Sequence, residues 1–398
     1  MLFHGNNFHF LRNREIDVLY FTIALLLFGE GLISIFVPIY FWQLGFPLWK
    51  IVYFYFLISL SFLILSFLII PFLKKLSDKA MMFFSLPFVA LYFIGLGYLQ
   101  DYPALFYFLP PVLAINMILF NVGYHLSFSG AADGEYIGRE LGMRHFVSDI
   151  VTFSAPFLGG LLIAFFGFRQ VFLIASFFLL LAILPLFFFP RRRISPAVSA
   201  RKIIDLLKDK NLMPFTISGI GYANERMVAL IVWPLFLFFK IGDIRELGGV
   251  ISLGLFASAI VTFSAGFLAD HGKRRRLLKY STWLFSGVWF LRPFVNTVAV
   301  ATWSNIAGHV ASSSLLVAWE SQYYKIARAM GAGPQAGGLS TFILSREVLY
   351  HISRVLFLPV LMALGYLLPQ NQFFFSGFIM AALFALLLLF SNRAHNLY

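Results

Sequence analysis

The sequence predicts an all-α integral membrane protein with twelve transmembrane helices in two pseudo-symmetric six-helix bundles. Three observations carry this expectation. The chain is 60% hydrophobic and only 12% charged over 398 residues, whereas soluble domains carry about 25% charged residues. That much apolar surface has lipid as its solvent. Twelve stretches reach the length of about 20 apolar residues that crosses about 30 Å of hydrocarbon. Lys and Arg collect in alternate loops, as they do when such stretches weave through a bilayer.

In order, the predicted spans run near 16–41, 48–72, 81–100, 103–128, 146–166 and 170–190, then 213–239, 248–269, 277–299, 302–324, 341–368 and 373–391. Arg12 and Arg14 precede the first, which carries Glu15, Asp17 and Glu30 and has no small-residue cleavage site. It reads as a retained helix rather than a signal peptide. Residues 191–212 form the longest polar interval and hold seven Lys or Arg. This interval divides the chain into an N-terminal bundle at 1–190 and a C-terminal bundle at 213–398. Within it Ser199 is placed to cap a short helix over 200–210, with Ile203, Ile204, Leu206 and Leu207 on one face and Lys and Asp on the other. Such a helix lies along a membrane surface.

The net charge of +13 would suggest nucleic acid in a soluble protein. Here the loops on one side hold 22 Lys and Arg and the opposite loops hold 4. That imbalance places both termini and the 191–212 linker in the cytoplasm and argues against a nucleic-acid partner. The partners expected are membrane lipids, a small solute and protons, with the monomer as the working unit. There is no Cys, hence no disulfide and no thiolate metal site.

The halves share ordered markers. Phe21-Thr-Ile23 opens the first span and Phe215-Thr-Ile217 the seventh. Glu30 and Glu225 follow, then Pro38 and Pro234. Asp78 and Asp270 fall in corresponding loops, and Arg144 with Pro156 matches Arg346 with Pro359. The offsets cluster near 192–203. A duplicated six-helix unit explains them together, and parallel halves of this kind form a transporter architecture with substrate handled near mid-membrane.

Gly266-Phe-Leu-Ala-Asp270-His-Gly272-Lys-Arg-Arg275 resembles the cytoplasmic loop signature of the major facilitator superfamily, one residue short between Asp and Gly and with His271 in place of Arg. The matching first-half loop, Lys74-Lys-Leu-Ser-Asp78-Lys79, keeps the acid and base and lacks the glycines. Ala155-Pro-Phe-Leu-Gly-Gly160 followed by Gly167-Phe-Arg-Gln-Val-Phe172 looks like that family's fifth helix and the turn after it. The resemblance spans the whole chain and implies a secondary transporter that works by rocking of its halves. By pseudo-symmetry Asp270 is expected to face Arg144, and Asp78 to face Arg346. Together with Gly266 and Gly272 these residues would close a cytoplasmic gate. The plainer alternative is that each charge sits among headgroups as a topology signal.

Charge inside a bilayer is costly unless it faces a cavity or a partner. Glu30 lies midway along the first span, and Glu225 and Arg226 midway along the seventh. Either carboxylate is a candidate proton carrier, and a Glu30–Arg226 bridge between the halves is the structural alternative. Arg346, Tyr350 and Arg354 share a helical stripe, with Glu347 and His351 on the next. Two cations facing a cavity suit an anion, and neutralisation of Arg346 by Glu347 and Asp78 is the alternative. Asn305, His309, Trp319 and Glu320 of the tenth span, and Asn116, Asn121 and His125 of the fourth, fit a cavity wall. Arg292 is expected at the outer end of the ninth span, without a function.

The function expected is secondary transport of a small solute by alternating access in the cytoplasmic membrane, with proton coupling through Glu30 or Glu225. The remnant Pro156-Phe-Leu-Gly-Gly160, which resembles a motif of drug–proton antiporters, favours efflux over uptake. Uptake or facilitation of sugars or organic anions, and a lipid-moving or sensing protein, are the alternatives. No metal-type His/Asp spacing, Gly-x-Ser-x-Gly or nucleotide loop occurs, so neither an enzyme nor a cofactor is expected.

Overall fold

Long apolar runs without two-residue alternation fold as helices, because in lipid the backbone must satisfy its own hydrogen bonds. The computed structural model describes residues 14–131, 137–188, 200–268, 274–331 and 338–397, and its regular structure there is wholly helical. The helices are α1 (Arg14–Ile33), α2 (Val37–Gln43), α3 (Leu48–Leu73), α4 (Asp78–Gly97), α5 (Leu105–Ala131), α6 (Ile137–Leu181), α7 (Ile183–Phe187) and α8 (Ala200–Lys208). They continue with α9 (Met213–Met227), α10 (Trp233–Ile241), α11 (Ile244–Leu268), α12 (Arg274–Leu291), α13 (Val298–Gly331), α14 (Gly338–Leu367) and α15 (Gln370–Leu387).

Among the described residues eight helices are long and apolar enough to cross a membrane. One of them, Val151–Phe187, has 37 residues and is interrupted where Gly167 turns to φ 81, ψ 169. Only a residue without Cβ adopts that conformation freely, and the break falls where the sequence predicts a turn between two spans. Arg169 ties this turn to the end of α4 by donating to the Gly97 carbonyl (3.0 Å) and to Asp101. Three expected spans, at 213–239, 277–299 and 302–324, are helical but do not meet the same apolar criterion. The helices there carry Glu225 and Arg226, the Arg274–Lys279 run at the start of α12, and Glu320.

Large apolar side chains point outward, among them Phe108, Phe165, Leu356 and Tyr366, each about two-thirds exposed or more. Water tolerates few such residues together, and acyl chains cover them without cost. The buried side chains join distant segments instead. Helix α6 packs on both α1 and α11, and α3 on both α5 and α14. Small residues permit the closest of these approaches. A Cβ on Gly159 would fall 1.9 Å from the Leu32 carbonyl oxygen, and one on Gly248 would fall 2.4 Å from that of Pro156.

Loop chemistry fixes the helix ends. Asp243 caps α11 by accepting from the Arg245 and Glu246 backbone N–H groups at 2.7 and 3.3 Å. Hydrogen bonds from the Arg245 side chain and backbone hold its carboxyl below the usual range, at about 2. The linker helix α8 ends at Lys208, two residues before the expected end, and Ser199 lies outside the described residues. Its apolar face is not all turned to lipid: Ile203 is fully buried and Ile204 is 44% exposed, and the helix docks on α9 and α14.

Substituting Ala for Gly159 should lower the thermal unfolding temperature of the detergent-solubilised protein, by an overpacking cost of about 1–3 kcal/mol. Gly249, whose added Cβ meets nothing within 4 Å, should accept Ala with an unchanged or raised transition in the same melt.

Candidate functional site

The polar residues of the long helices gather in three groups. The first surrounds the middle of the seventh span, where α9 leads through a π-helical turn at Val228–Val232 into α10. Such wide turns arise where a helix accommodates an extra residue. Just before the turn Glu225 is buried, and its carboxylate accepts from the Trp289 indole N–H at 3.1 Å. Arg226 lies beside it, 3.9 Å from Nε to Glu225 Oε2, and keeps a third of its side chain exposed. Just after the turn Trp233 donates to Asn305 at 3.0 Å, and Asn305 in turn donates to the Val250 carbonyl at 2.8 Å.

Between these tryptophans sits Arg292. It is 3% exposed, and its guanidinium carbon lies 3.8 Å from the ring centroids of both Trp233 and Trp289. A desolvated cation between two indole faces gains the full cation–π attraction. Gly308 makes room for it, since a Cβ there would come 2.6 Å from Arg292 Nη2. Arg292 directly follows α12, at the end of its helix as expected; what the sequence reading missed is that it is buried there against two indoles. The signal available was Trp289, three residues earlier on the same helical face. His309 is half-buried on α13, its backbone next to Gly308.

The second group joins α5 to α14. Arg346 donates from Nε (3.1 Å) and Nη2 (2.6 Å) to Glu347 Oε1, while Asn121 donates to Glu347 Oε2 at 3.2 Å. The same Nη2 contacts His125 Nε2 at 2.9 Å, and the guanidinium stacks 3.9 Å over Tyr323. Glu347 thus neutralises Arg346, which was one of the alternatives. The Asp78–Arg346 pair is not formed in this arrangement. Asp78 is buried and accepts from Ser127 at 2.8 Å, and its other oxygen has no partner among the described residues. Asp270 and Gly272 lie outside the described residues, as do the side chain of Arg144 and the surroundings of Gly266.

The third group lines α9 and α14 side by side. Tyr222 and Arg226 continue the α9 stripe, with the guanidinium 5.4 Å from the Tyr222 ring. Tyr350 and Arg354 continue that of α14, and Arg354 reaches the Ala223 carbonyl at 3.4 Å and His351 Nε2 at 3.5 Å. His351 is buried, and its ring stacks on Phe62 of α3 at 3.8 Å. Glu320 of α13 is half-buried within electrostatic range of Arg226. Glu30 is half-buried on α1, between glycines that let α1 approach α6, and has no ion-pair partner among the described residues. No Glu30–Arg226 bridge is made. Among the described residues no cluster of three His, Asp or Glu could hold a metal.

This helical arrangement matches solved structures over nearly its whole length. The human organic anion transporter MFSD10 (TETRAN) superposes with a TM-score of 0.68 at 14% identity, covering 94% of this chain and 99% of that one. The nucleoside transporter NupG gives 0.67 at 13% identity, with 96% and 99% covered. A POT family transporter in complex with a thioalcohol-conjugated peptide gives 0.70 at 13%, with 96% of both chains covered. This is the major facilitator fold. With its apolar helices, the fold makes the chain a multi-pass membrane protein. No protein-family model and no curated protein matches the sequence. At 13–14% identity the likeness is one of fold, and the three groups above are read from this chain alone.

Removing Arg346 alone, as Arg346→Leu, should strip the buried Glu347 of its counter-charge at a cost of about 3–5 kcal/mol. The double variant Arg346→Leu/Glu347→Leu should recover much of that loss. Thermal unfolding in detergent measures both.

Proposed function

We propose that the chain is a secondary transporter that moves a small solute by alternating access in the cytoplasmic membrane, as a monomer. Its two six-helix halves, 1–190 and 213–398, are joined by the 191–212 linker, and both termini lie in the cytoplasm. Spans 146–166 and 170–190 are the two parts of the stretch broken at Gly167, and the seventh, ninth and tenth spans are the polar helices α9–α10, α12 and α13. The contacts α3–α14 and α6–α11 support the pseudo-symmetry, because exchanging the halves converts one into the other.

The observation that carries this reading is the polar junction between α5 and α14. Asn121 meets Glu347 and His125 meets Arg346 across 226 and 221 residues of sequence. Hydrogen bonds of this kind can part and re-form, whereas interlocked apolar packing resists sliding. Nearby proteins of the same fold are named as carriers of organic anions and nucleosides, and one holds a conjugated peptide, which suits small-solute cargo.

Protons are the coupling ion in this reading. Glu30 is the better carrier of the two carboxylates, because it can change charge without breaking an ion pair. Glu225 would abandon Arg226 and Trp289. When the outer side opens, Asp78 and Arg346, with Asp270 and Arg144 in the other half, close the cytoplasmic gate. The unpartnered Asp78 oxygen leaves an acceptor for that contact. The Pro156-Phe-Leu-Gly-Gly160 remnant favours efflux.

Reconstituted proteoliposomes test the coupling. Substrate-dependent proton movement should be abolished in Glu30→Gln while substrate binding persists, and Glu225→Gln should lose stability as well as transport. Solute flux without proton movement, unaltered in both variants, would show that the carboxylates are structural.

A further inference from the structure

The third polar group is built like a ligand site. Phe215, Trp319 and Tyr222 form a column of nearly parallel rings. Phe215 and Trp319 lie 5.4 Å apart at 11°, and Trp319 and Tyr222 lie 4.9 Å apart at 25°. The column ends at Tyr222, which is half-buried, with Tyr350 tilted beside it at 5.4 Å. An added planar ring would continue the stack there. Two arginines flank this end of the column: Arg226, 5.4 Å from the Tyr222 ring, and Arg354, which donates to the carbonyl of Ala223, the residue after Tyr222.

The charges around it do not balance. Arg226, Arg292, Arg346 and Arg354 share three carboxylates, Glu225, Glu320 and Glu347. Glu225 serves Arg226 and Arg292, and Glu320 lies in electrostatic range of Arg226. Both oxygens of Glu347 are taken, by Arg346 and Asn121. Among the described residues no carboxylate lies within 4 Å of Arg354, which has a backbone carbonyl, an imidazole and the more distant charge of Glu347, already engaged by Arg346. Three further polar atoms nearby are buried without a hydrogen-bond partner among the described residues: Arg226 Nε, the Tyr350 hydroxyl and His351 Nδ1. Unmet buried donors of this kind are costly unless something occupies them. A narrow cleft beside α8, lined by Leu206, Phe215, Gly219, Phe342, Arg346 and Tyr350, runs onto the same two helical stripes from the linker side.

We propose that this ring column and its surplus guanidinium bind an aromatic anion of single charge, a ring carboxylate or sulfonate, as the transported solute. The ring extends the stack at Tyr222, and the anionic group bridges Arg226 and Arg354, with the Tyr350 hydroxyl as a further donor. A dianion would exceed the single unmatched cation, and an organic cation would be repelled by it. The assignment rests on the transport reading for its role as cargo, and its binding chemistry can be tested alone.

The test is calorimetric titration of the purified full chain in detergent with benzoate, cyclohexanecarboxylate, benzyl alcohol and benzyltrimethylammonium. Benzoate should bind most tightly. Arg354→Gln should weaken it about tenfold or more, as loss of a charged hydrogen-bond donor does, and Arg354→Lys should retain part of the affinity. Tyr222→Leu should remove the preference for benzoate over cyclohexanecarboxylate without abolishing either. Thermal unfolding of each variant reports whether it folds. Benzoate affinity unchanged in a folded Arg354→Gln or Arg354→Lys protein, no benzoate binding to the wild type, or tighter binding of the cation or the alcohol would overturn the assignment. Benzoate binding without flux of any solute would defeat the transport reading alone, and flux of other solutes without anion binding would defeat this assignment alone.

Discussion

The cost of an unmatched charge in hydrocarbon governs this molecule. An isolated ion in a low-dielectric medium is so unfavourable that it must find a counter-charge, a ring face or water. Four arginines fall within the predicted spans: Arg226, Arg292, Arg346 and Arg354. Each has found a different solution. Arg346 clamps its sequence neighbour Glu347, and Arg292 is held between two indoles. Arg226 leans on Glu225 and Tyr222 while staying partly exposed, and Arg354 makes do with a carbonyl and a histidine. The helices that carry them must meet in one region for these solutions to exist. The packing of α9, α12, α13 and α14 follows from that requirement as much as from apolar burial.

Hydropathy and loop charge made much of the fold legible. The predicted turn between 166 and 170 appears at Gly167, and the amphipathic helix after the polar interval appears at 200–208. These features are local: a glycine conformation, a run of apolar residues, an i, i+4 stripe. The three polar helices predicted as spans fall short of the apolar measure that eight others meet among the described residues, and residues that face partners inside a protein lower an apolar count just as residues facing water do.

The candidate site was legible in its members more than in its pairings. Glu30, Glu225, Arg226, Asn121, Arg346 and Arg354 stood out as charges or amides inside apolar runs. What each would touch did not, because the partners come from helices far away in sequence. Asp78 was expected to meet Arg346 by symmetry, yet a carboxylate one residue away took that arginine and Ser127 took the aspartate. Arg292 follows the end of α12 as expected, but its burial was not legible, because Trp233, which covers it together with Trp289, comes from a segment far away in sequence. Pseudo-symmetry describes backbones, and side-chain pairing is decided by whichever donor is nearest.

The wide turn at Val228–Val232 has a counterpart in the stretch that carries Glu30. Glu30 and Pro38 are eight residues apart, and Glu225 and Pro234 are nine. The α1–α2 stretch covers its interval with a tight 3₁₀ turn at Ser34–Phe36 and the α9–α10 stretch with a π turn. One stretch is overwound where the other is underwound, so the one-residue difference falls where the winding differs. The surplus residue also stores a degree of freedom. If the wide turn migrated by one position, the residue it passed would rotate by about 100° while both helix ends stayed where they are, so a buried face could be exchanged without moving the helix as a whole.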